Sequence, residues 1–276
     1  MWRSPAVILA IAIIGTLIVA ALFASYLAPY NPKIGELTNR LMPPFWQEGG
    51  STDHILGTDG QGRDVLSRLL YGARTSLLVC VLAIGVAGVL GSLLGVIAGY
   101  LGGWVDTIIM RITDLAFSLP IILLALIFAI LFGPSLTNIV IILSLVLWAP
   151  YARMARGETL KIKNYDFVAL AKIAGCSKAR IMIRHILPNV SSSLVVLATL
   201  QVGTVIILES SLSFLGVGLP ATTPSWGVMV SAGRSYIVSA WWLCVIPGLA
   251  ILMTVLSFNL LGDALNDYLN PELRIR

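Results

Sequence analysis

The chain has 276 residues, of which 58% are hydrophobic and only 11% are charged. A soluble globular domain has about 25% charged residues, so this deficit and the long apolar runs exclude an ordinary soluble fold. They indicate instead an all-α integral membrane protein with about six membrane-spanning helices. The net charge of +5 does not by itself indicate nucleic-acid binding. No GxxxxGK[ST] motif occurs, and three scattered cysteines (Cys80, Cys176, Cys244) lack metal-ligand or disulfide spacing, so no bound ATP, metal or other cofactor is expected.

The first apolar run covers residues 7–27 and predicts an uncleaved spanning helix. It is longer than the core of a secretory signal and does not end in A-x-A. A polar, turn-rich stretch with balanced charges follows at residues 29–74. Within it, "GRDVLSRLLYGARTSL" has apolar residues at helical spacing, with Arg63, Arg68 and Arg74 off the apolar stripe. This pattern predicts an amphipathic helix on the membrane surface, or alternatively a helix within a soluble loop.

Hydropathy predicts five further spans, at about residues 77–100, 108–132, 139–154, 190–214 and 241–261. In the second span, Gly91, Gly95 and Gly99 recur every four residues and therefore line one helix face. Small residues at this spacing let two helices approach closely, either within this chain or against a partner subunit.

The third span carries two charged residues in its first turns. Arg111 and Asp114 are three residues apart, so they can pair on one helix surface. Pro120, further along the same span, is expected to kink the helix.

Orientation follows from the distribution of basic residues. Eight of the 18 Lys and Arg residues lie between positions 153 and 184. The positive-inside rule places this loop, residues 152–188, in the cytoplasm. With six spans, both termini are then cytoplasmic, in agreement with Arg3, Arg274 and Arg276, and residues 29–74 lie outside.

The basic loop contains a segment too short to cross a bilayer, "YDFVALAKIAGCSKARIMIRHILPN". Asn164 is expected to cap a first short helix, Asp166 lies in its first turn, and Gly175 ends it in a left-handed conformation. Ser177 can cap a second short helix, and Pro188 marks the entry to the fifth span. The apolar stripe of this helix–turn–helix must be buried against lipid, against its own chain or in a groove of a partner.

Glu209 is the only charged residue of the fifth span, and Ser210 and Ser213 follow it. It is expected near the external end, either as an interfacial carboxylate bonded to hydroxyls or as part of an external gate or substrate path. His54 and His185 are predicted on opposite sides of the membrane as solvated or capping residues. They cannot share a site, which argues against a membrane enzyme.

"GCSKARIMIRHILPN" resembles the cytoplasmic signature of the membrane subunits of ABC importers. That signature reads E-A-A, three residues, Gly, nine residues, Ile, one residue, Leu-Pro. Ala171, Gly175, Leu187 and Pro188 match it, whereas Ala169 replaces the Glu and His185 replaces the Ile.

Four other segments resemble the dipeptide, oligopeptide and nickel permeases, and among these the member of the permease pair with a long first external loop. They are "LGTDGQGRDVLSRLLYGARTSL", "MRITDLAFSLP", "ESSLSFLGVGLPATTPSWGVMV" and "FNLLGDALNDYLNP".

The resemblance implies a type I ABC importer permease in a prokaryotic inner membrane, in contact with lipid. Such a chain pairs with a second homologous permease, two ATPase subunits that hold ATP and Mg²⁺, and an extracytoplasmic substrate-binding protein. It is not itself an enzyme. Residues 164–188, here named the coupling segment, would dock in an ATPase groove. The residues implied in this contact are Ala169, Ala171, Lys172, Ile173, Gly175, Ser177, Lys178, Arg180, Leu187 and Pro188, with Lys172, Lys178 and Arg180 forming a basic rim.

The expected organisation has three parts: an N-terminal helix with its external loop at residues 1–71, the importer transmembrane domain at 72–263, and a cytoplasmic tail at 264–276. The expected cargo is a di- or oligopeptide, with nickel or another small solute as the alternative. A stand-alone secondary transporter or channel is the alternative of a different class. Such carriers often show inverted repeats, and no convincing internal repeat is seen in this sequence.

Overall fold

The computed structural model describes residues 4–269, which form helices joined by turns and contain no β-strand. The expected all-α class is therefore confirmed. Arg3, Arg274 and Arg276, which entered the argument about the termini, lie outside the described residues, as does Pro271 of the last resembling segment.

The helices differ widely in length, from single turns to more than ten turns. Short 3₁₀ turns at Leu37–Asn39, Thr52–His54 and Arg234–Tyr236 and a π-helical turn at Met182–Ile186 complete the described part. In chain order the α-helices are α1 (Pro5–Leu22), α2 (Ala24–Leu27), α3 (Val65–Leu101), α4 (Gly103–Ser118), α5 (Ile121–Phe132), α6 (Leu136–Ile162), α7 (Asp166–Ile173), α8 (Lys178–Ile181), α9 (Leu187–Phe214), α10 (Trp226–Gly233) and α11 (Trp242–Leu269).

Five helical stretches between residues 4 and 269 are long and apolar enough to cross a membrane, and the bent pair α4–α5 brings the number to six if it counts as one span. This agrees with the expected six spans. The helices extend beyond the apolar runs, since hydropathy marks the part suited to lipid while backbone hydrogen bonding continues through polar residues. Helix α6 runs on to Ile162 rather than 154. Helix α11 runs on to Leu269, so the expected tail at 264–276 begins inside a helix.

The predicted kink at Pro120 is present. Helices α4 and α5 meet at an angle of 91°. Leu119, just before the proline, has the extended angles φ −92° and ψ 136°. Proline disfavours helical angles in the residue before it and lacks a backbone N–H, so the helix ends here and a new one begins.

The glycine face of α3 packs against α6 within this chain. An added Cβ at Gly91 would overlap the Trp148 carbonyl, and one at Gly95 would overlap the Ala152 carbonyl. At Gly99 it would come within 2.8 Å of Thr159 Cβ. The backbones of α3 and α6 therefore approach closely along the whole glycine stripe, which is the intrachain alternative of the sequence prediction.

The stretch predicted as a surface amphipathic helix is the beginning of α3, and that prediction is wrong. Arg68 is 1% exposed because the 28–64 segment folds over it, and Arg63, which belongs to that segment, is 7% exposed. Arg68 Nη1 donates to the Pro32 carbonyl at 3.2 Å. The first boundary proposed from sequence, between residues 71 and 72, accordingly falls inside a continuous helix.

Candidate functional site

The coupling segment forms the expected helix–turn–helix at the C-terminal end of α3. Gly175 has φ +75°, the left-handed conformation that ends α7, and an added Cβ would meet nothing within 4 Å. Ser177 Oγ accepts a hydrogen bond from the Arg180 backbone N–H at 3.3 Å and so caps α8. The cap expected at Asn164 is wrong. Asn164 Nδ2 donates back to the Leu160 carbonyl at 3.1 Å, and Tyr165 occupies the cap position without a side-chain bond.

One side of the coupling segment is packed against its own chain. Val168, Ala171, Ile181 and Ile186 are buried in one cluster with four residues of neighbouring helices (Val96, Ala155, Ile162, Val190). Fully burying a side chain of valine or isoleucine size contributes about 1.5–3 kcal/mol, so these contacts fix the segment on the ends of α3 and α6. Ala171, which the resemblance placed at or near a partner contact, belongs to this inner side and is 8% exposed.

The other side of the segment presents apolar side chains to the outside. Ile173 is 82% exposed, Leu170 is 64% exposed and Ile183 is 63% exposed. Ala169 and Gly175 are exposed as well, whereas Leu187 is partly buried and Pro188 lies exposed at the start of α9. A helix that is buried on one side and still carries large aliphatic residues on the other is typical of an interaction surface.

Basic residues surround this exposed apolar patch. Lys172, Lys178 and Arg180 are all exposed, as the basic-rim prediction requires. The Lys172 ammonium lies 5.7 Å from the centre of the Tyr100 ring, which holds its stem toward the end of α3. Lys178 and Arg180 form no salt bridge with any residue between 4 and 269, so their charges are available to a partner.

Polar contacts that the sequence did not reveal join α6 to α4 and to α3. Arg156 Nε donates to Asp106 Oδ1 at 2.5 Å and Arg156 Nη2 to Asp106 Oδ2 at 2.6 Å, a bidentate pair across 50 residues of sequence. Lys163 Nζ donates to the Gly99 carbonyl at 3.0 Å and so joins the end of α6 to the end of α3.

The predicted pairing of Arg111 with Asp114 is not the one that the structure contains. Asp114 Oδ1 instead accepts from Arg153 Nη2 at 2.7 Å. The Arg153 guanidinium also lies 4.1 Å from the centre of the Phe117 ring. Helical spacing permits Arg111 to pair with Asp114, but in the fold α6 brings Arg153 to the Asp114 carboxylate instead.

Glu209 lies inside the helix bundle at 1% exposure. Its Oε1 accepts hydrogen bonds from Ser213 Oγ at 2.9 Å and Ser225 Oγ at 3.0 Å. Ser225 also caps α10, so the carboxylate ties α9 to the start of α10. Bonding to nearby hydroxyls was predicted and is present at Ser213, whereas Ser225 was not anticipated. The interfacial position and the alternative role in a gate or substrate path stay predictions. Glu209 Oε2 and Ser210 Oγ have no hydrogen-bond partner in the described part of the chain.

The two histidines do not share a site, as expected. His54, however, is 8% exposed rather than solvated, and its Nδ1 is 3.0 Å from Asp64 Oδ1. It therefore helps to seat the 28–64 segment on α3.

These features describe a membrane protein with an exposed apolar patch surrounded by basic residues on one of its short helical segments. Residues 91–275 match the family described as "Binding-protein-dependent transport system inner membrane component". The match covers more than half of the chain, and the chain therefore belongs to this family of ABC importer permeases. It is a multi-pass membrane transport subunit, and the alternative of a stand-alone carrier or channel does not hold.

More specific similarity is to permease proteins named for peptide transport. The dipeptide transport system permease protein DppC of Escherichia coli (strain K12) is 45% identical over 254 residues, covering 92% of this chain and 85% of that protein. The probable D,D-dipeptide transport system permease protein DdpC of the same strain is 39% identical over 269 residues, covering 98% and 88%. The di/tripeptide transport system permease protein DppC of Pseudomonas aeruginosa (strain UCBPP-PA14) is 41% identical over 258 residues, covering 94% and 85%.

A solved structure shares the fold at low sequence identity. A chain from inward-facing conformations of the MetNI methionine ABC transporter superposes with a TM-score of 0.60 at 18% identity, covering 74% of this chain and 96% of that one. The type I ABC importer permease architecture is thereby confirmed.

Proposed function

We propose that this chain forms half of the translocation pathway of an ATP-driven importer for short peptides. Relatives that share 39–45% of its residues over more than nine tenths of its length are named for dipeptide or di/tripeptide transport, and this supports the cargo. Nickel is not favoured, since these relatives are named for peptides.

The coupling segment is the contact through which ATP hydrolysis drives this chain. The observation that carries this proposal is the placement of Ile173, Leu170 and Ile183. They stand exposed within a basic rim, on a segment whose opposite side is firmly packed. Two ABC ATPase subunits hold ATP and Mg²⁺, and closure of these subunits moves the segment. Because α7 and α8 are fixed to α3 and α6, the displacement reaches the spanning helices.

The rest of the proposed assembly is the one that membership in this family implies. A second homologous permease completes the pathway, and a substrate-binding protein delivers peptide on the opposite side of the membrane. The termini and the coupling segment are cytoplasmic, and the 28–64 segment is external, as the concentration of Lys and Arg between residues 153 and 184 favours.

The experiment that tests the coupling contact compares Ile173→Asp with Ile173→Leu in the assembled importer. Both variants should insert and fold, because the Ile173 side chain is exposed and contributes little to the packing of its own chain. The aspartate places a charge in an apolar contact, whereas leucine keeps its volume and polarity. The tagged importer is purified in mild detergent, the ATPase subunit is quantified, and uptake of the labelled dipeptide Ala-Ala is measured.

Leucine at position 173 is expected to retain the ATPase and the uptake. Aspartate is expected to lose both while the chain stays in the membrane. Full recovery of the ATPase subunit with the aspartate variant would contradict the docking proposal. Uptake of nickel but not of Ala-Ala by the unaltered importer would contradict the proposal that the cargo is a short peptide.

A further inference from the structure

A cavity of about 250 Å³ lies at the end of α3 opposite to the coupling segment. The 28–64 segment, the first turn of α3 and the region from α10 to the following 3₁₀ turn enclose it. Its apolar wall is formed by Val65, Met229 and Leu243. Its polar lining includes Asp59, Arg63, Arg68, Ser235 and Tyr236.

The charges that line this cavity do not balance, because two guanidinium groups face one carboxylate. Asp59 Oδ2 accepts from Arg63 Nε at 2.7 Å. Asp59 Oδ1 accepts from the backbone N–H groups of Gln61 at 2.8 Å and Arg63 at 3.0 Å. Asp59 is therefore largely used by Arg63 and its own turn, and Arg68 Nε stands 3.6 Å from Oδ2, beyond a normal hydrogen bond.

Arg68 is the group left without sufficient partners. A guanidinium carries five N–H donors, and a buried one must direct them to acceptors. Arg68 is 1% exposed and its Nη1 donates to the Pro32 carbonyl. Its Nη2 is buried and has no hydrogen-bond partner among residues 4–269.

Neither of the nearby carboxylates is free to supply the second acceptor. The other nearby carboxylate, Asp64, is occupied by His54 at Oδ1 and by the Ser67 backbone N–H at Oδ2. Arg40 adds a further positive charge at the edge, since its Nη2 donates to the Tyr236 hydroxyl at 3.0 Å. The cavity and its rim thus carry an excess of positive charge beside an apolar wall, where an ionic hydrogen bond is stronger than in water.

We propose that this cavity binds an oxyanion, which is attracted by the net positive charge of the lining and held by Arg68 in its wall, with Ser235 and Tyr236 lying at the mouth. The planar fork of arginine suits carboxylate and phosphate oxygens. Two sources present this chemistry, the C-terminal carboxylate of a short peptide and a phosphate group. The proposal that the cavity binds an oxyanion does not depend on the proposed transport function. Only the proposal that this oxyanion is the carboxylate of a peptide rests on that function.

The test uses the full-length chain purified in detergent at low ionic strength and measures binding by calorimetry. The probes are Ala-Ala, its C-terminal amide, which lacks the carboxylate, and inorganic phosphate. The key variant is Ala232→Glu, because Ala232 is an exposed residue that lines the cavity. It introduces a tethered carboxylate without removing either arginine. Ala232→Gln is the matched control, with the same shape and no charge.

Affinity for the bound probe is expected to be at least about tenfold lower in the Glu variant than in the Gln variant, as expected for a charge-assisted hydrogen bond. If the peptide is the source, Ala-Ala binds at least about tenfold more tightly than its amide. If phosphate is the source, inorganic phosphate binds and the two peptides do not differ.

Absence of binding by all three probes, or equal binding by the Glu and Gln variants, would overturn the proposal. Failure of the proposed transport function gives a different result from failure of the oxyanion proposal. If only the transport function is wrong, phosphate still binds and its affinity still responds to Ala232→Glu, but the assembled importer takes up no Ala-Ala.

Discussion

Two glycines of α3 provide a matched test of the close packing between α3 and α6. A Cβ added at Gly95 would lie 2.7 Å from Ala155 Cβ and 3.0 Å from the Ala152 carbonyl carbon. Carbon atoms in good contact are about 3.5–4.0 Å apart, so the two helices would have to separate by roughly 1 Å. A Cβ added at Gly85, in the same helix, would meet nothing within 4 Å.

The difference between Gly95→Ala and Gly85→Ala isolates this packing term. Alanine stabilises a helix by about 1 kcal/mol relative to glycine, and this contribution applies at both positions. Overpacking costs about 1–3 kcal/mol and applies only at Gly95. We therefore expect Gly85→Ala to be more stable than the unaltered chain by up to about 1 kcal/mol, and Gly95→Ala to be less stable than Gly85→Ala by about 1–3 kcal/mol.

The free energy of unfolding is measured by titrating the purified chain in mixed micelles with a denaturing detergent. If Gly95→Ala were as stable as Gly85→Ala, the close approach of α3 and α6 would be refuted.

Two further predictions concern the turn of the coupling segment and the buried carboxylate. Gly175→Val is expected to lower transport-coupled ATP hydrolysis while leaving membrane insertion intact, because a β-branched residue resists φ +75°. Gly175→Asn, which tolerates that conformation, should retain most of the coupling, and normal coupling by a well-inserted valine variant would argue against the docking assignment. Glu209→Ala is expected to lower the free energy of unfolding by about 1–3 kcal/mol, since Ser213 and Ser225 lose their acceptor, whereas Glu209→Gln should restore most of it. Uptake per folded importer at saturating peptide should be unchanged in Glu209→Ala, and a loss of uptake without a loss of stability would instead place Glu209 in the substrate path.

Features that depend on local backbone chemistry were predictable from the sequence. Pro120 breaks its helix because of its own ring, and Gly175 adopts the left-handed conformation that few other residues accept. The spanning helices were located for the same reason, since a long apolar run has few alternatives in a membrane.

Features that depend on the partner of a side chain were not predictable. Asp114 could reach Arg111 within its helix, and nothing in the sequence indicates that Arg153, 39 residues away, would take it. The Asp106–Arg156 pair was missed altogether, because the path of α6 past α4 is known only from the fold.

The pattern around Arg68 correctly predicts a helix, but the predicted position of that helix on the membrane surface is wrong. Periodicity shows that one face is polar but not whether water, lipid headgroups or another part of the chain covers that face. Here the 28–64 segment covers it. The same limit applies to α7, in which Val168 and Ala171 face inward while Leu170 faces outward, although all three belong to the same apolar stripe.

Helix α3 has a mechanical consequence for the importer. It runs without a break for 37 residues, which corresponds to about 55 Å, whereas a bilayer core is about 30 Å thick. Arg68 at one end and Gly99 at the other are thus about 47 Å apart on a single lever arm. A tilt of about 5° moves one end of such an arm by about 4 Å relative to the other. If the proposed oxyanion binds beside Arg68, a tilt of this single helix would link that binding mechanically to the position of the coupling segment.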